Sequence, residues 1–171
     1  VRGAVRRMVA GRQVFLTEAR GHGQIAFSRD APGHVFPLEL PQGAVILVRE
    51  HQFLAATASI RYSASHLKGL SNNLFGGSGF WVDRFQAHEG DGVVWLHGYG
   101  NVLEKALEPN EEIDVEPGGW VYMDPSVHMR PTVYGLRTGI FAGAGELVFN
   151  RFRGPGRVGI QTMYMHLPAT N

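Results

Sequence analysis

Phe75–Phe85 reads FGGSGFWVDRF and Phe141–Phe152 reads FAGAGELVFNRF, the same phrase with one residue added. A shift of 66 to 67 residues carries Phe75, Gly77 and Gly79 onto Phe141, Gly143 and Gly145, and Arg84-Phe85 onto Arg151-Phe152. It also carries Gly33, Val35 and Leu40 onto Gly100, Val102 and Leu107, and Ile46, Val48 and Phe53 onto Ile113, Val115 and Trp120. Repetition at a nearly constant offset constrains the fold strongly, because each copy must form the same unit and bury its apolar face against a neighbour. The repeat divides one domain into units of about 11–75 and 76–141, with a partial third at 142–171.

Within the units, strand signals alternate with turn signals. Phe80–Phe85, Gly92–Gly98, Asn101–Leu107, Glu112–Glu116 and Trp120–Met123 are rich in β-branched and aromatic residues. Phe36, Leu38 and Leu40 alternate with Pro37 and Glu39, and Ile113 and Val115 with Glu112, Asp114 and Glu116. Pro41-Gln42-Gly43, Pro117-Gly118-Gly119 and Gly154-Pro155-Gly156 punctuate the runs. The expected fold is all-β: antiparallel sheets, sandwich or barrel-like, built from the tandem repeat. Ala64–Leu74 and Thr132–Ile140 carry weak helical character, and a short helix or turn is expected in each. Arg7-Met8-Val9-Ala10-Gly11 aligns with Asn73–Gly77 and Gly139–Gly143, so the chain is expected to open inside a linker. The repeat then reads as pseudo-threefold with one half-unit missing upstream of Val1, leaving two sheet edges prone to association.

Composition narrows the function classes. With 171 residues, 44% apolar and 18% charged, the chain can bury a real core. A net charge of +1 gives no electrostatic reason for a nucleic-acid or anionic-membrane partner. The absence of cysteine excludes disulfides, thiolate nucleophiles and Cys-ligated zinc, and suits a reducing, cytoplasmic setting. No apolar run approaches the roughly 20 residues of a membrane-spanning helix.

The phrases GQIAFSRDAPGHVFPLEL, VREHQFLAA, LFGGSGFWVDRF, VWLHGYG, IDVEPGGW and NRFRGPGRVGIQT together resemble the mitochondrial-biogenesis family named for altered inheritance of mitochondria. The resemblance covers essentially the whole chain. It implies a fold similar to the tryptophan RNA-binding attenuation protein, with antiparallel sheets repeated around a pseudo-threefold axis. It implies no catalytic motif. Glu18-Ala19 stands where the other copies have Arg84-Phe85 and Arg151-Phe152, so the units are not equivalent.

Candidate chemistry is sparse. None of the eight histidines forms an HxH or HExxH pair, although His88 and His97 could approach across a strand pair. Ser78 in GGSGF misses the nucleophile-elbow spacing, and its counterpart is Ala144. Asp124, Ser126 and His128 alternate along one run, about 7 Å apart per two residues if extended, too far for a triad. GGSG and AGAG lack the lysine or helix of a phosphate loop, and are read as bends needing glycine. Phe53, Phe80, Trp81, Trp95, Tyr99, Trp120 and Tyr122 have acidic or apolar neighbours, which favours core packing over base stacking.

The repeated arginines, Arg84 and Arg151, are the candidate binding residues: either an anion site on the pseudo-axis or structural ion pairs at a corner. The function expected is a non-enzymatic scaffold or protein-interaction module without cofactor or metal, acting with a protein partner or as a homo-oligomer. The alternatives are a small-ligand domain with a pocket between units, and, behind it, a hydrolase using histidine and carboxylates.

Overall fold

The structure, a computed structural model, describes residues 4–9, 12–67, 80–134 and 147–163, and every regular element among them is a strand. Unit-scale order is easiest to follow in two runs of six. The first is β3 (His34–Leu40), β4 (Val45–Arg49), β5 (Phe53–Ala56), β6 (Ile60–Leu67), β7 (Phe80–Ala87) and β8 (Gly92–Gly98). The second is β9 (Val102–Leu107), β10 (Glu112–Val115), β11 (Trp120–Met123), β12 (His128–Tyr134), β13 (Leu147–Arg153) and β14 (Gly156–Gln161). A hairpin, β1 (Ala4–Val9) and β2 (Arg12–Thr17), precedes them.

All pairings are antiparallel. A six-stranded sheet of order β6-β7-β4-β11-β14-β9 forms the middle layer. Three-stranded sheets β3-β8-β5 and β10-β13-β12 cover it. Strand alternation shows how: Ile46 and Val48 enter the cluster with Leu40, Phe85, Val94 and Leu96, whereas Leu47 enters the cluster with Trp120, Phe152 and Val158. The two clusters therefore lie on opposite faces of β4. All four residues of β11 are buried, as a strand covered on both faces requires. A register shift between Trp120 and Tyr122 lets β11 serve both.

The pairing register recurs at the sequence offset. Arg84 stands opposite Leu47 and Ser63, and its repeat counterpart Arg151 stands opposite theirs, Asp114 and Arg130. Turns recur too. The Ala44 N–H donates to the Pro41 carbonyl across Gly43, and the Glu111 N–H to the Glu108 carbonyl across Asn110. Gly43 and Asn110 have φ of 86° and 68°, the left-handed conformation that the third position of a type II turn demands. Pro37 and Pro131 lie on the outer strands β3 and β12, where a missing donor costs no ladder bond.

Two expectations are corrected. Ala64–Leu67 and Thr132–Tyr134 are not helical: they complete β6 and β12, because pairing with β7 and β13 outweighs a weak local preference. Arg7–Val9 is not linker but the end of β1, paired with β2. The remainder of both helix expectations, and the GGSG and AGAG bends with Ser78 and Ala144, lie outside the described residues.

Candidate functional site

The repeated arginines are not brought together. Arg84 lies on β7 in the six-stranded sheet and donates from Nη1 to Gln86 Oε1 at 3.0 Å. Arg151 lies on β13 in a different sheet. Its Nε and Nη2 donate to the two oxygens of Asp114, both at 2.6 Å, Nη2 also meets the Tyr134 hydroxyl, and Glu112 is 3.4 Å away. That fork holds the Asp114 carboxyl down to about 2, the arginine hydrogen bonds being the main cause and the Tyr134 hydroxyl, which donates to the same carboxylate, adding to it.

Around this pair, the outer face of β10-β13-β12 gathers the polar side chains of three strands. Phe152, Ile113 and Met129 point into the core, so the residues alternating with them face outward. Across one row run Glu112, Arg153 and His128, and across the next but one Asp114, Arg151 and Arg130. At the end of this face Asn110, His128, Arg130, Arg153, Gly154 and Pro155 line a cleft of about 540 Å³. Asn110 is delivered by the type II turn, which Glu111 braces: its carboxylate accepts from the Glu108 N–H at 2.8 Å and pairs with Lys105 at 2.6 Å. The Gly154 N–H is tied to the Glu111 carbonyl at 3.0 Å, which fixes the opposite wall.

A second polar group lies in the interior. His97 on β8 is 1% exposed and Gln52 is 2% exposed. Neither His97 ring nitrogen makes a well-formed hydrogen bond among the described residues, nor does Gln52 Oε1. The ring sits against Gly33 and edge-on to Tyr99 at 5.1 Å. Burial above all, then the charge of Arg29, lowers its pKa, opposed in part by the Ala31 carbonyl and Asp30. His88 is exposed in the turn after β7, its N–H donating to the Ser59 carbonyl, and β7 does not pair with β8. No group of three His, Asp or Glu among the described residues is placed to hold a metal ion.

Asp124, Ser126 and His128 do not share a strand, which corrects that reading: 124–127 forms a turn, closed by the Val127 N–H on the Asp124 carbonyl. Asp124 accepts from the Arg157 backbone N–H at 2.8 Å and from its guanidinium at 3.0 and 3.1 Å, leaving His128 to open β12 at the cleft. Trp120 and Tyr122 are fully buried, and Tyr122 donates to Glu104 at 2.5 Å. The cleft itself escaped sequence reasoning. Its residues come from positions 110, 128–130 and 153–155, which only strand pairing unites.

These features define a layered antiparallel β protein whose distinctive described surface is a polar sheet face. The family described as Mitochondrial biogenesis AIM24 matches residues 1–163, and the chain belongs to it. It is similar to a Streptococcus pyogenes serotype M6 protein described as uncharacterized, 30% identical over 163 residues, which cover 92% of this chain and 62% of that one. A crystal structure of another Streptococcus pyogenes protein shares the fold, with a TM-score of 0.55 at 22% identity, over 79% of this chain and 56% of that one. The chain thus spans about three fifths of the relatives it matches. No described helix is long and apolar enough to cross a membrane.

Proposed function

We propose that this protein is a non-catalytic assembly module that works by pairing sheet edges with a second protein strand, its own kind included. One observation carries the reading. β4 and β11 meet edge to edge and fuse two three-stranded halves into the central sheet, with Val48 opposite Tyr122 and Leu47 opposite Met123. One repeat along the chain, the counterpart of β4 is β10; one repeat back, the counterpart of β11 is β5. Among the described residues each of these has a single neighbour, β13 and β8 respectively. An edge of this kind is a template for another strand.

The other outer strands carry the usual protections. β3 and β12 contain proline, β9 carries Glu104 and Lys105, and β6 carries Arg61. Of the two proposed edges, β10 carries Glu112 and Asp114, whereas β5, Phe-Leu-Ala-Ala, has neither proline nor charge and is the less protected. A third copy of the β4–β11 junction at these edges would give the pseudo-threefold, attenuation-protein-like arrangement, completed by a half-unit beyond the two six-strand runs. On this reading the protein acts in the cytoplasm, and no catalysis or cofactor is needed.

Native mass spectrometry with concentration-dependent amide exchange tests this. The expected result is a defined oligomer, or a complex with a captured partner, in which amides of 53–56 and 112–115 become protected as assembly proceeds. A monomer at all concentrations whose edge amides exchange freely would overturn it.

A further inference from the structure

We propose that the cleft at the end of the β10-β13-β12 face is a binding site for a phosphate group carried by a small molecule. His128 and Arg153 are direct cross-strand partners, and Arg130 is two residues from His128 on the same face. A directly opposed pair and its diagonal neighbour lie within reach of long side chains, so the three heads can converge on one guest. The lining adds Asn110, whose side-chain oxygen accepts from Arg153 Nη2.

Charge is available there. Arg153 forms no ion pair among the described residues, its partner being the neutral Asn110 amide. Arg130 is 63% exposed and meets Glu112 only at 3.5 Å, a carboxylate that Arg151 also approaches at 3.4 Å. Exposed pairs at such separations are weak and screened. Asp114 is committed to Arg151, and Glu111 to Lys105 and its own turn. The acidic groups that contest the site among the described residues are therefore Glu112 and, more weakly, Asp114, which is committed to Arg151 but also feels the charge of Arg130.

The fold does not require these cations. The equivalents of His128, Arg130 and Arg153 one repeat back are Arg61, Ser63 and Gln86, which occupy the same register on β6 and β7. The same scaffold holds a serine and a glutamine where the cleft has two arginines, so the arginines answer to something other than packing. Donors arriving from two strands suit a tetrahedral dianion, which accepts from several directions, better than a planar carboxylate, which one guanidinium fork satisfies.

The test uses pyrophosphate as probe, titrated calorimetrically at low ionic strength into the chain and into a variant carrying Arg130→Ser and Arg153→Gln, the residues of the first run. Saturable one-to-one binding is expected, weakened at least tenfold in the variant, while Arg61→Ser leaves it unchanged. Thermal midpoints should match within a few degrees. Arg153→Gln alone serves if the double variant does not fold, and should lower affinity severalfold. Malonate, a dicarboxylate, should bind more weakly than pyrophosphate. No saturable binding, equal binding by the variant, equal loss in Arg61→Ser, or parity of malonate with pyrophosphate would each overturn the assignment.

Discussion

At the scale of the residue, two buried or paired titratable groups set how stability depends on pH. In the folded protein burial and the charge of Arg29 disfavour the His97 imidazolium more than the Ala31 carbonyl and Asp30 favour it. Its pKa in the folded state lies below the ordinary 6.5, so the unfolded chain takes up the proton first as pH falls. Stability is expected to decline from pH 6.5 downward until the folded pKa is passed. His97→Gln should flatten that decline, since Gln161 occupies the matching buried place on β14, accepting from the Tyr99 N–H and donating to the Gly118 carbonyl. Chemical denaturation at a series of pH values reads it directly; an unchanged slope in the variant would exclude His97 as the cause. Asp114 works at lower pH. Its carboxyl is depressed from 3.8 to about 2, so its contribution is present above 3.8 and is lost as pH falls toward 2. Asp114→Asn should lower the thermal midpoint at pH 7 and remove this part of the acid dependence.

At the scale of the element, the turns are where chemistry and geometry agree most closely. Gly43 and Asn110 fill the same left-handed position in two copies of one turn, and a Cβ at Gly43 would meet nothing within 4 Å. Any cost of substitution there is backbone strain rather than crowding. Gly43→Asn should therefore be nearly neutral, whereas Gly43→Val should destabilise by about 1–2 kcal/mol, measured by urea titration. Equal losses for both would show that space, not φ, governs the turn. The same comparison explains why local preference misled at 64–67 and 132–134. Alanine, serine and histidine beside β7 take the extended form because the whole of β6 pairs with that strand, from Ile60 to Leu67.

At the scale of the molecule, everything meets at the β4–β11 junction. Trp120 is fully buried, its ring 5.8 Å from that of Phe152, and belongs to the cluster that joins Leu47 of the first run to Val158 of the second. Trp120→Ala should cost about 3–5 kcal/mol and unfold the two runs together. Two separate thermal transitions would instead mean that each run is stable alone. Most strand runs and the alternation of Phe36, Leu38 and Leu40 were legible in the chain, because period and turn chemistry are local properties. That Arg84 and Arg151 are equivalent positions was legible too, but not their different fates. Arg151 is held by Asp114, whereas the residue opposite Arg84 is Leu47, and pairing partners are set only when distant strands meet. The burial of His97 and the cleft of Arg130, Arg153 and His128 were illegible for the same reason. The sequence determined the all-β class and most of the strand runs; the tertiary structure alone drew 64–67, 132–134 and 7–9 into strands and decided which side chains face one another, since contact across a sheet depends on register between residues far apart in the chain.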